Sequence, residues 1–138
     1  MKNTILIIGI LVFITLENQA QQASLTIINK SNRQMTTKVM KGTVKKATLL
    51  DSISISPKEQ KVIYFSETGK YFTKTQAVLV DKDSTNNDTL YSKSNPFEVI
   101  ADNKRGYSNI TIKFTVKESK KPIIEGVIPI SRKEYAEN

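Results

Sequence analysis

The sequence predicts an all-β protein, a single Greek-key β-sandwich of about seven to nine short strands, preceded by a cleavable N-terminal signal helix. Three observations carry that prediction. Apolar residues recur with the strand period of about two rather than the helical 3.6. Clusters of Gly, Pro, Asn and Ser punctuate the chain at short, regular intervals. No stretch after the N-terminus has an amphipathic helical pattern, and the abundant Ser, Thr and Ile suit a pleated, half-buried surface.

The first element, residues 1–20, reads as an export signal. Lys2 leads into an apolar run from Ile5 to Leu16, followed by polar Glu17-Asn18-Gln19 and a small residue, Ala20, at the expected cleavage point. The run is shorter than the roughly 20 residues a membrane-spanning helix needs. Cleavage after Ala20 leaves residues 21–138 as one sandwich domain. With no Cys in the chain there is neither a lipid-bearing N-terminal thiol nor a disulfide, so the expectation is a secreted or periplasmic protein that is not a lipoprotein.

The strands follow in order. Residues 25–28 form a first short strand, closed by Asn29-Lys30-Ser31-Asn32. Residues 35–41 form a second, and Gly42 opens a basic connection. Residues 48–55 form a third, with Ile53 and Ile55 alternating against Ser52 and Ser54. Ser56-Pro57-Lys58-Glu59 is a turn with Pro pre-set at its second position. Residues 61–66 are apolar on both sides, which predicts a central, buried strand. Glu67-Thr68-Gly69-Lys70 is a tight turn with Gly69 at positive φ, joining that strand to residues 71–80 as a hairpin.

Residues 81–88 form a polar, acidic loop. Residues 89–91 and 97–101 are short strands around Ser94-Asn95-Pro96, and residues 102–107 turn around Gly106. The clearest strand is 110–116, with Ile110, Ile112, Phe114 and Val116 on one face and Thr111, Lys113 and Thr115 on the other. After Lys120-Lys121-Pro122, residues 123–130 form a last strand that Pro129 assigns to a sheet edge. Residues 131–138 are a frayed tail or one helical turn.

The run from Ile55 through Ser56-Pro57-Lys58-Glu59 to Phe65, followed by Thr68-Gly69-Lys70-Tyr71, resembles the strand–turn–strand and Gly-x-Tyr hairpin of bacterial immunoglobulin-like sandwich domains. Ala20-Gln21 is similar to the signal ends of small secreted proteins of Bacteroidota. The resemblance covers about a fifth of the chain. It implies an immunoglobulin-like fold and a compartment, not an activity. Cupredoxins share such hairpins, but this chain lacks the His and Cys that bind their copper.

The absence of His and Cys removes the commonest general base, the thiol nucleophile and the usual transition-metal ligands. No cofactor is expected. Ser–Lys neighbours are too frequent to mark a nucleophile, and a carboxylate-pair hydrolase is a third-ranked reading. Asp51 is in register with Ile53 and Ile55, which makes it either a pocket acid or a residue turned to solvent by a bulge or strand end. The run Asp81-Lys82-Asp83-Ser84-Thr85-Asn86-Asn87-Asp88 carries oxygen ligands at alternating positions, as calcium loops do, with Asp81, Asp83 and Asp88 as candidate ligands, but Asn86 and Ser92 stand where an EF-hand needs Gly and Glu. Sequons begin at Asn29, Asn87 and Asn109.

The net charge of +8 is uneven. Between Ala23 and Leu50 lie Lys30, Arg33, Lys38, Lys41, Lys45 and Lys46 without a single acid, whereas the rest of the domain nearly balances. That region is either a solvated face or a surface for an anionic polysaccharide or membrane surface. Nucleic acid is disfavoured because no aromatic side chain interleaves with these bases. The leading expectation is a non-catalytic, exported protein that binds an anionic partner through these six residues. The alternative is an accessory subunit that pairs with a protein partner through an edge strand, either residues 25–28 or 123–130.

Overall fold

Two β-sheets pack face to face in a computed structural model that describes residues 22–79 and 89–137. Residues 1–20, with the export signal, and residues 81–88, with Asp81, Asp83, Asp88 and the Asn87 sequon, lie outside the described residues. The strands are β1 (Ala23–Asn29), β2 (Arg33–Thr43), β3 (Lys46–Ile55), β4 (Gln60–Phe65), β5 (Gly69–Leu79), β6 (Leu90–Lys93), β7 (Phe97–Val99), β8 (Ala101–Asp102), β9 (Gly106–Tyr107), β10 (Asn109–Phe114), β11 (Val116–Lys117), β12 (Ile123–Ile124) and β13 (Ile128–Pro129). One short helix, α1 (Arg132–Ala136), follows, so the tail takes its helical alternative. The fold is the all-β sandwich that the period of two predicts.

The smaller sheet has the order β10-β1-β4 and the larger β13-β6-β5-β2-β3, with β7 also paired to β5. Period-two burial builds the core between them. Ala23, Leu25 and Ile27 of β1, Ile63 and Phe65 of β4, and Phe114 of β10 face Met35 and Val39 of β2, Ile55 of β3, and Tyr71 and Ala77 of β5. The rings of Phe65 and Tyr71 meet across the two sheets at 4.6 Å.

Several local expectations give way to this topology. Residues 61–66 are not a central strand: β4 is an edge of the smaller sheet, with Tyr64 59% exposed and Ile63 and Phe65 buried. Its apolar outer residues simply face solvent. Nor do β4 and β5 form a hairpin, because β4 pairs with β1 and β5 with β2. The connection between them crosses from sheet to sheet, so Gly69 needs no positive φ and begins β5 opposite Val99.

The first strand is no edge either. β1 lies between β10, to which it is parallel, and β4. Residues 123–130 are not continuous: Gly126, at φ 77°, separates β12 from β13, and β13 carries Pro129 to the edge of the larger sheet. The Ser56–Glu59 turn does form. The Glu59 N–H donates to the Ser56 carbonyl at 3.1 Å, and Lys58 takes the left-handed third position at φ 67°.

Two buried polar groups tie the ends of the sandwich. Asn29 Nδ2 donates to the carbonyls of Arg33, Ile55 and Ser56, while its Oδ1 accepts from the N–H and hydroxyl of Ser31. Arg33, which alternates with Met35 on the inner face of β2, pairs with Glu118 beyond β11.

Candidate site between the hairpin and the terminal helix

The β2–β3 hairpin closes through Thr43 opposite Lys46, with Val44 and Lys45 as its two-residue loop. Gly42 makes the bend possible. Its φ is 118°, and a Cβ there would lie 2.4 Å from the Lys46 carbonyl oxygen. Beyond the loop, Leu50 is left without a partner, because Val39 pairs with Asp51 and Met40 with Leu49. This bulge ends the covered part of β3. Burial falls from Ile55 through half-buried Ile53 to exposed Asp51, whose carboxylate accepts the Ser52 N–H. Asp51 is therefore turned to solvent at the strand's uncovered end and is not a pocket acid.

On the outer face of the larger sheet, register places three lysines in one row. Lys38 of β2 is opposite Lys74 of β5, which is opposite Lys93 of β6. Like charges directly across a sheet repel, and α1 answers them. Ser131 starts the helix by accepting the Glu134 N–H, and Tyr135 is buried against Tyr91 with ring centroids 5.3 Å apart. The helix then turns its unsatisfied C-terminal carbonyls on to the row. Lys38 donates to the Tyr135 carbonyl at 3.0 Å and its ammonium lies 4.3 Å from the Tyr135 ring centroid. Lys74 donates to the carbonyls of Glu134 at 2.8 Å and Glu137 at 2.6 Å. Lys93 pairs with the Glu134 carboxylate at 3.3 Å.

Lys74 is only 6% exposed. Burial pushes its ammonium below the ordinary lysine range; Lys38 and Lys93 add to the effect, while Glu134 and Glu137 oppose it. Burial raises the Tyr135 phenol, with Tyr91 acting in the same direction. Between the hairpin and α1 lies a cavity of about 210 Å³, whose walls include Lys45, Phe72, Lys74, Lys93, Glu134 and Glu137.

The six bases singled out in the sequence do not form one surface. Arg33 is 1% exposed inside the sandwich and is bound to Glu118, so it leaves the candidate binding set. Lys30 sits at the end of β1 beside Lys58, which donates to its carbonyl. Lys41 pairs with Glu67. Lys45 and Lys46 are exposed at the hairpin, Lys45 reaches the cavity, and Lys38 joins the row beside it. Lys74 and Lys93, which sequence reasoning missed, complete the cluster. Their strand positions are visible in the sequence, but their neighbours depend on register.

Among the described residues, no group of three His, Cys, Asp or Glu could hold a metal, and no helix is long and apolar enough to cross a membrane. Asn29 is fully buried, which closes its sequon to a glycan in the folded protein, whereas Asn109 is exposed. Comparison of the chain with protein-family models and with curated proteins returned no match.

Proposed function

We propose that this protein is an exported, non-catalytic binding protein that engages an anionic partner through the β2–β3 hairpin. One observation carries the reading. From Thr43 to Ser52 every residue but Ala47 is exposed, and the acid-free stretch through Leu50 presents Lys45 and Lys46 at the turn. Lys41 and Lys38 flank the same hairpin; Arg33 and Lys30 play no part. Exposed lysines act as screened point charges, so binding must weaken as salt rises. Export rests on the pattern of residues 1–20. The test is heparin chromatography of the mature chain. Retention at low salt, elution by moderate salt, and earlier elution of Lys45→Glu and Lys46→Glu are expected. Absence of retention at low salt, or salt-insensitive retention, overturns the reading.

The exposed edge of β3 favours a second reading. Among the described residues β3 pairs only with β2, and Leu49 and Leu50 are each 43% exposed along it. A protein strand added here would bind through backbone hydrogen bonds and apolar contacts. That association would survive salt and be lost in Leu49→Lys/Leu50→Lys.

A further inference from the structure

We propose that the cavity between the hairpin and α1 is an oxyanion site that receives one sulfate or phosphate ester group of the anionic partner. This rests on the hairpin reading above and names the group that the partner must carry. The argument begins with charge. Lys45, Lys74 and Lys93 line the cavity against the carboxylates of Glu134 and Glu137, an excess of one positive charge among the described lining residues, and Lys38 stands next to Lys74 in the row. The row's repulsion is met mostly by main-chain carbonyls of α1. Those carbonyls satisfy hydrogen-bond geometry but supply no formal counter-charge. Among the described residues, the one carboxylate bonded to the row, Glu134, pairs with Lys93.

Donors remain for an incoming oxyanion. An ammonium has three. Lys74 uses two on α1 and Lys93 one on Glu134, while Lys45 has no partner among the described residues. These three side chains come from the hairpin loop, β5 and β6, and meet at one cavity. Because Lys74 is nearly enclosed, its charge is screened less than a surface lysine's. The cavity of about 210 Å³ holds several times the roughly 30 Å³ of one water. It therefore has room for the oxyanion and part of the ring that bears it. Val44, which also lines the cavity and is 48% exposed, offers apolar surface to that ring's carbon skeleton.

An anionic ligand adds to the negative charge that Glu134 and Glu137 already direct at Lys74, and the same logic makes Glu134 its competitor. Removing the Glu134 carboxylate must tighten anion binding even though it removes a native ion pair. A purely structural role for the cluster gives no such gain.

The test is titration of the mature protein with sodium sulfate, and separately with sodium phosphate, at constant ionic strength, followed by NMR of the lysine side chains. Saturable shifts at Lys74 and Lys93 are expected. Lys93→Ala and Lys45→Ala each weaken sulfate binding about tenfold, the loss of one charge-assisted hydrogen bond. Glu134→Gln strengthens it, and Lys61→Ala, on the exposed face of β4 in the other sheet, leaves it unchanged. Both lysine variants retain buried Lys74, so they do not test folding alone. Shifts that never saturate, or sulfate binding that is indifferent to Lys93→Ala and Glu134→Gln, overturn the proposal. Heparin retention without a sulfate response at the cavity keeps the hairpin reading and removes this site. A saturable sulfate site without heparin retention does the reverse.

Discussion

Arg33 and Glu118, eighty-five residues apart, form a two-pronged ion pair: Nε donates to Oε2 and Nη2 to Oε1, each at 3.0 Å. The guanidinium is sealed between the sheets, whereas the carboxylate is 47% exposed. Removing the carboxylate takes two charge-assisted hydrogen bonds from a buried cation, and that loss exceeds the worth of a surface ion pair. Glu118→Ala should lower unfolding free energy by about 1–3 kcal/mol, read from urea denaturation. Arg33→Met/Glu118→Ala should recover part of the loss, because the guanidinium is no longer buried without the Glu118 carboxylate.

The same pair sets a pH dependence. The Arg33 hydrogen bonds hold the Glu118 carboxyl below the usual glutamate range, against an opposing effect of burial. As pH falls, the unfolded chain therefore takes up this proton before the folded one. The contribution is complete above the unfolded pKa of about 4.3 and is lost as pH falls through the lower folded value. Urea midpoints measured across that acidic range should fall more steeply for wild type than for Glu118→Gln.

Asn29→Asp tests whether the amide or only its shape holds the β1–β2 connection. The substitution keeps the volume but points an oxygen at the carbonyls of Arg33, Ile55 and Ser56. A loss of about 2–4 kcal/mol is expected, from three carbonyls deprived of a donor and a buried carboxylate. Thermal denaturation at neutral pH reads it, and acidification should narrow the gap as the carboxyl takes up a proton.

Gly42→Ala should cost about 1–3 kcal/mol, because it combines a left-handed backbone with a close approach to the Lys46 carbonyl. Hydrogen exchange should locate the damage at the hairpin and spare β1. If the hairpin carries anion binding, heparin retention should fall in the same variant while Lys45 and Lys46 are still present.

Much of the sandwich is legible in the sequence because period-two alternation is local. It places β1, β2, β3, β5 and β10 to within a few residues. Pairing is not local. Residues 61–66 and 71–80 look like two arms of a hairpin, yet they join opposite sheets because each finds its partner elsewhere. The basic segment shows the same limit. Arg33 and Lys38 are equally basic in the sequence, but alternation sends one into the core and the other outward. The Lys38–Lys74–Lys93 row exists only once β2, β5 and β6 are in register.

The place of β1 also governs when this chain can finish folding. Ser24 pairs with Asn109, so β1 waits for a neighbour made some eighty-five residues later. Until β10 emerges, one flank of β1 is bare and the smaller sheet is incomplete. Such long-range pairing slows folding.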